Sequence, residues 1–297
     1  TNGIVAKTAA PKKKYLVNGV PKKQIDFAGL LRAVLFAPTD LDLVTDSPSL
    51  RRKYLDFVLL QIDRDYRRAL LSYEKGLRQR NRLLERIRDE GVPRTQLSFW
   101  DDLLIKNGQY IGQKRQEYIG YINYNLEIAE ALKKDGKDSL KLQIVYNHSE
   151  ISKDRLKQYE REEVASTTTL VGPHRDDWMI NKYQSSKVLK HPSFALRATE
   201  GKQEDWVEVS LYGSRGEQRM AVLWLKMCEL EYINDKTGQR PVLLLDDIFS
   251  ELDDNHRRLI MEVVPKQQTI ITTTDIEHIE KSYRGEVTVI NLISNIF

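Results

Sequence analysis

Four apolar residues, Val242 to Leu245, run directly into two carboxylates, Asp246 and Asp247. A short apolar segment that stops sharply at charge is the pattern of a strand buried on both faces of a parallel sheet. The carboxyl ends of such strands are where open α/β sheets take their ligands. Two acids placed there are costly to desolvate unless a cation offsets them. A Mg²⁺ ion carrying nucleotide phosphates would do so, with Asp246 as the metal-side carboxylate. Asp247 would then stand close enough to polarise an attacking water. The plain alternative is a core strand whose two Asp residues open a solvated loop.

Upstream, Leu211-Tyr-Gly-Ser-Arg-Gly-Glu-Gln-Arg219 leads into the apolar stretch Met220 to Leu230, which predicts a helix. Ser214 and Glu217 have the spacing of a capping box. A capped helix start can also bind an anion, because Ser214 and Gly216 expose backbone N–H groups at its positive end and Gly216 permits close approach. The two readings are compatible.

Ser214-Arg-Gly-Glu-Gln-Arg219, followed by Leu245-Asp-Asp-Ile-Phe-Ser-Glu-Leu-Asp253, resembles the signature motif, Walker B motif and D-loop of ABC-type ATPases. The wording is similar to that of the RecF family of bacterial recombination mediators. Leu170-Val-Gly-Pro-His-Arg-Asp-Asp177, Val34-Leu-Phe-Ala-Pro-Thr-Asp-Leu41 and Thr272-Thr-Thr-Asp275 resemble the family too, so the likeness runs along nearly the whole chain. It implies an α/β fold: the sheet layer of a P-loop NTPase, incomplete at the N-terminus, with an inserted helical hairpin. The lobes would be 1–48 and 141–297, with the insertion at 49–140. It also implies that Asp247 is catalytic and Asp246 holds the metal. Ser214, Gly216, Glu217, Gln218 and Asp253 would contact ATP, and Thr273 or Thr274 would stand where ABC ATPases carry a switch residue. One departure matters: no G-x-x-x-x-G-K-[ST] occurs in the 297 residues. Thr1-Asn-Gly-Ile-Val-Ala-Lys begins like the inside of a strand, so a longer parent protein is expected. Without that loop's lysine and N–H nest, this polypeptide alone is expected to bind ATP poorly and hydrolyse none.

Composition sets the limits. The chain has 30% charged residues and a net charge of only +4, so any DNA contact should be local. A single cysteine, Cys228, excludes internal disulfides and fits a reducing cytoplasm. No run approaches the apolar length of a membrane span.

Along the chain, residues 4–20 read as a hairpin with Asn18-Gly19 as a tight turn. Lys12, Lys13 and Lys14 form a basic cluster, either a solvated turn or a phosphate contact. Leu30 to Phe36 predicts a strand. Ala37-Pro-Thr-Asp40 follows, a hinge by resemblance or simply a strand exit with Thr39 or Asp40 as cap. Ser49 to Glu90 reads as one helical pattern and Gln96 to Lys134 as another, broken by Gly91-Val-Pro93: an antiparallel hairpin of helices. Residues 47–91 carry twelve Lys/Arg against seven Asp/Glu, an excess larger than that of the whole chain. Arg64, Arg67, Arg68, Arg78 and Arg82 are therefore candidates for DNA backbone contact, although a solvated helix with paired charges has a similar composition. Leu140 to Tyr146 predicts a strand, and Asp154 to Val164 a charged helix. Thr169 to Trp178 predicts a strand, a turn and a second strand start. Within it, His174 and Arg175 reach a phosphate or partner, or tie the turn locally. Phe194 to Leu211 reads as two strands, Leu252 to Val264 as a helix capped by Asp253 or Asp254, and Gln268 to Thr274 and Glu286 to Leu292 as strands.

The leading expectation is an ATP-controlled DNA-binding mediator in replication and repair, including gap repair and the SOS response. By resemblance, two copies would face head to tail with ATP·Mg²⁺ between them. Single- or double-stranded, gapped or junction DNA and the RecO and RecR mediators would be partners, in the cytoplasm. The alternative takes the absent loop literally: a non-enzymatic DNA or protein interaction module. An SMC-type head would need a much longer insertion than 49–134.

Overall fold

In a computed structural model, the described residues are 13–125, 141–183, 206–250, 252–274 and 288–290. In chain order the elements used below are β1 (Tyr15–Val17), β2 (Val20–Lys22), α1 (Gln24–Phe27), β3 (Ala33–Phe36), α2 (Asp42–Thr45), α3 (Pro48–Ile62), α4 (Arg64–Glu90), α5 (Ser98–Tyr124) and β4 (Leu142–Asn147). They continue with α6 (Lys153–Gln158), α7 (Glu160–Ser166), β5 (Asp177–Tyr183), β6 (Trp206–Glu208), α8 (Val209–Tyr212), α9 (Arg215–Thr237), β7 (Val242–Asp246), α10 (Asp254–Val263) and β8 (Thr269–Thr272). The chain divides into two compact units. One holds the described parts of Thr1–Arg32, Pro48–Tyr121 and Tyr146–Trp178; the other holds those of Ala33–Ser47, Ile122–Val145 and Met179–Phe297.

The first unit opens with the β1–β2 hairpin, turned by Asn18 and Gly19 at φ 48° and 80°. Both angles are positive, as a type I′ turn requires. The helical pattern of Ser49 to Glu90 is two helices, not one. Asp63 breaks it: its Oδ1 accepts from the N–H groups of Asp65 (2.8 Å) and Tyr66 (2.9 Å), capping α4. A carboxylate that caps satisfies donors the helix cannot, which stabilises a break that periodicity does not reveal. α4 ends at Gly91 in the left-handed conformation, φ 70°. α5 then returns antiparallel, as Arg80 meets Asp101, Tyr66 meets Arg115 and Asp63 meets Tyr110. Leu55, Val58, Tyr66, Leu84, Leu104 and Ile111 are buried, so the predicted stripes form the hairpin core.

Two buried arginines hold the segment after α7. Arg115 on α5 donates to Asp176 (2.8 Å), to the Pro173 carbonyl (2.7 Å) and to Asp56 (2.7 Å). Arg80 on α4 donates to Asp101 (2.7 Å) and the Thr169 hydroxyl (2.9 Å) and pairs with fully buried Glu163 (2.8 Å). The strand expected at Thr169 does not form, because side chains take its backbone groups. Asn81 accepts from the Thr169 N–H (3.0 Å), Glu163 from that of Leu170 (2.8 Å) and Ser149 from that of Gly172 (3.1 Å). His174 ties the same loop. Its Nδ1 lies 2.8 Å from the Tyr73 hydroxyl and its Nε2 2.9 Å from the Thr169 carbonyl, which assigns the proton to Nε2. The Asp154–Val164 helix is two short ones, α6 and α7.

In the second unit β3, β7 and β8 form a parallel sheet with β7 central, so its unbroken apolar run is explained. Phe36 lies opposite Leu245, and Asp246 opposite Thr272. α9 buries Trp224, Leu225 and Cys228. Its Lys226, also buried, pairs with Asp40 (3.1 Å) and Glu229 (3.5 Å). Asp40 Oδ2 accepts from the Ala37 N–H (2.8 Å), so Asp40 caps the turn that leaves β3. β5 pairs antiparallel with β6. Of the strand expected at Trp206 to Leu211, only the first three residues are strand; α8 follows and closes at Gly213. A Cβ at Gly213 would sit 2.5 Å from the Val209 carbonyl oxygen, so no other residue fits there unmoved. Residues 288–290 are not strand, and the rest of the expected last strand lies outside the described residues. No described helix is long and apolar enough to cross a membrane.

Burial lowers the His174 imidazole to about 4, with Arg175 and Arg52 adding to the effect against the Thr169 hydrogen bond. The unfolded chain, with an ordinary value near 6.5, therefore binds more protons between those limits. This stability is full above about pH 6.5 and is lost as pH falls towards 4, by up to about 3 kcal/mol. Urea unfolding across that window should show the loss in wild type and a flatter profile in His174→Gln; parallel profiles would refute the assignment.

Candidate nucleotide and nucleic-acid sites

The strand-tip acids differ in kind. Asp246 ends β7 exposed, and its Oδ1 accepts a 2.6 Å hydrogen bond from the Thr272 hydroxyl. Asp247 adopts φ 49°, the left-handed region that costs a residue with a Cβ. Three hydrogen bonds hold it there: its N–H reaches the Thr272 carbonyl (3.1 Å) and hydroxyl (3.2 Å), and its carbonyl accepts from the Ser250 hydroxyl (2.8 Å). Asp247 Oδ1 is buried without a hydrogen-bond partner. An orphaned carboxylate oxygen on a strained backbone, beside a second acid, fits a cation or a polarised water. Among the described residues no group of three or more His, Cys, Asp or Glu could hold a metal ion. A Mg²⁺ ion here would take its remaining ligands from phosphate and water, its usual manner of binding. Asp246 and Asp247 are the residues that would hold it.

Thr272, not named among the expected contacts, is the threonine that touches both acids. Thr273 follows partly buried, and Thr274 is exposed. The register placing Thr272 opposite Asp246 decides this, and sequence does not reveal register. Asp253 caps α10 through the His256 N–H (3.1 Å) and lies 2.7 Å from His256 Nδ1. Phe36, Pro38, Arg219, Ile248 and Leu252 meet around a small apolar recess of 30 Å³, between the β3 exit, α9 and the loop after β7.

At the start of α9 the capping box is complete. Ser214 Oγ accepts from the Glu217 N–H (3.3 Å), and Glu217 Oε2 accepts from the Ser214 N–H (2.7 Å). Gly216 is open: a Cβ there would meet nothing nearer than Ser214 Oγ, at 4.0 Å. Gln218 turns inward, its Nε2 directed at the Val209 (3.4 Å) and Ser210 (3.3 Å) carbonyls. Burial raises the Glu217 carboxyl, but Lys182 and the Ser214 N–H outweigh it and hold the group below the usual carboxylate range.

The basic candidates separate by partner. Lys13 and Lys14 are exposed; Lys12 lies outside the described residues. Arg64 pairs with Asp26, Arg68 with Asp65 (2.9 Å), and half-buried Arg67 donates to the Leu60 carbonyl. Arg78 and Arg82, with Lys75, are exposed and have no partner among the described residues. At helical spacing, Arg64, Arg68, Lys75, Arg78 and Arg82 share the face opposite buried Tyr66, Tyr73, Arg80 and Leu84.

A parallel sheet with acids at the tip of its central strand, in a chain that also carries a capped helix start, defines the lobe of an ABC-type member of the P-loop NTPase class. No protein-family model matches the chain. Over 299 residues it is 36% identical to the DNA replication and repair protein RecF of Herpetosiphon aurantiacus, covering 97% of this chain and 70% of that protein. It is 34% identical to the protein of that name from Clostridium tetani, covering 93% and 71%. Among solved structures, the recombination mediator protein RecF-ATPrS in the RecFOR pathway superposes with a TM-score of 0.73 at 31% identity, covering 89% of this chain and 68% of that one. The RecF-ATP structure gives 0.72 at 31%. The chain belongs to the RecF family.

Asp247→Asn should stabilise the protein by about 1 kcal/mol, because Asn tolerates the left-handed backbone and a neutral amide is less costly to bury than a carboxylate. A urea midpoint that fell instead would show that Asp247 is satisfied.

Proposed function

We propose that this chain is the ATP-binding, DNA-binding part of a recombination mediator in DNA replication and repair, serving gap repair and the SOS response. The observation that carries the nucleotide half is Asp247: strained, with a buried oxygen left unpaired, beside Asp246 at a parallel strand tip. ATP would supply the charged phosphates and Mg²⁺ the bridging cation. Asp246 and Asp247 would hold them, Thr272 would fix the Asp246 carboxylate, and Asp247 would orient a water. The start of α9 in a second copy, with Ser214 and Gly216, would close on the terminal phosphate. Head-to-tail pairing would then depend on ATP. Supporting this are the names of the relatives and the bound nucleotide named for the two solved structures. RecO and RecR are proposed partners on the pathway named for those structures.

The DNA half is carried by the unpaired row Lys75, Arg78 and Arg82. From Arg64 to Arg82 the exposed stripe runs about 27 Å at 1.5 Å per residue, the length of about eight base pairs. Such a row contacts phosphates and reads no sequence.

Two measurements on the intact protein test these halves. ATP with Mg²⁺ should drive dimerisation in sedimentation velocity, and Asp246→Asn should weaken it at least tenfold; an ATP-independent oligomeric state would refute the nucleotide half. Replacing Lys75, Arg78 and Arg82 together by Ala should reduce the slope of log affinity for duplex DNA against log salt by about 3, at about 0.9 per phosphate contact. An unchanged slope would place the DNA elsewhere.

A further inference from the structure

The start of α9 carries an acid where the proposed contact needs to attract an anion. Glu217 lies in the first turn, and a bare carboxylate there would oppose an approaching phosphate. Lys182 answers it. β5 delivers the lysine Nζ to 2.7 Å from Glu217 Oε1, with the lysine side chain only 9% exposed. The other carboxylate oxygen, Oε2, is occupied by the Ser214 N–H at 2.7 Å. Both oxygens of the acid are thus engaged.

The cap itself does not need the lysine. The Ser214–Glu217 box closes with its own two hydrogen bonds, and such boxes are stable with the acid in water. Burying a lysine on the inner face of β5, in step with Trp178 and Ile180, therefore serves something else. What the arrangement leaves is a neutralised helix start. The N–H groups of Arg215 and Gly216 are first-turn donors that no helical carbonyl can reach. The space over Gly216 is open and the Arg215 side chain is exposed.

We propose that Lys182 is a positioning residue for the phosphate contact at the start of α9. It cancels the Glu217 charge and holds that carboxylate closed on Ser214, so that the Arg215 and Gly216 N–H groups meet a phosphate without opposition. This rests on the reading of the α9 start as a phosphate contact, and it adds the residue that makes the contact electrostatically workable.

The test uses the intact protein, ¹⁵N-labelled and titrated with pyrophosphate, reading the Gly216 amide shift. Wild type should shift saturably. Lys182→Gln keeps a hydrogen bond to Glu217 but not the charge, and should bind pyrophosphate at least tenfold more weakly. Lys182→Arg should recover part of the loss. The double variant Lys182→Gln/Glu217→Gln should recover most of it, because no charge remains to cancel. A lysine that merely packs β5 predicts a different pattern, in which the double variant stays as weak as the single one. That pattern, an unaffected Lys182→Gln, or a wild-type amide that does not move, each overturns the proposal. ATP-driven dimerisation of wild type, measured alongside, reports separately on the assembly: its absence with the pyrophosphate pattern intact refutes the pairing of two copies and supports the role of Lys182.

Discussion

Among the described residues each deeply buried acid, Asp176, Glu163 and Glu229, is paired with a cation, and that constraint organises both units. Asp176 is fully buried and accepts from Arg115, from the Tyr146 hydroxyl and from the Ser149 N–H. Glu163 is fully buried against Arg80. Glu229 sits under Lys226. Removing one member of such a pair leaves the other charged in a low-dielectric interior, at a cost of about 3–5 kcal/mol. The arginines stand on the two facing helices of the hairpin, and their acids lie in the segment from α7 to β5. Folding of the hairpin and ordering of that segment are therefore energetically coupled.

Against that background Asp247 stands out. It has a buried oxygen, no partner for it, and a backbone angle that most residues avoid. Two hydrogen bonds from its N–H to Thr272 and one from Ser250 to its carbonyl keep it there. The backbone groups of Asp247 are satisfied while its Oδ1 is not, which suits a site preorganised for something that arrives later. Lys182 and Glu217 show the complementary device: a charge already cancelled so that another can approach.

What could be read in the amino acids was local. The apolar run ending at Asp246 gave the central parallel strand, the Ser214–Glu217 spacing gave a real capping box, and Asn18-Gly19 gave a real turn. The misses share a cause, which is dependence on distant partners. Asp63 breaks a helical pattern whose periodicity continues across it. Thr169 is drawn out of a strand by Asn81, 88 positions away. Which threonine meets the acids is decided by pairing register, not composition, and register turns Thr272 towards them. Lys182 did leave a trace: it falls in step with Trp178 and Ile180, so a period-two reading puts a lysine on the buried face of β5.

Cys228 is fully buried in α9, and burial raises its thiol well above the ordinary range. It is also the only cysteine in the chain. Maleimides and spin labels react with thiolates that solvent can reach, so the native sulfur is silent to them. A single cysteine introduced on the exposed stripe, at Arg78 for instance, would carry a reporter group alone. The helical arm can therefore be followed spectroscopically without first removing the residue that packs the other unit.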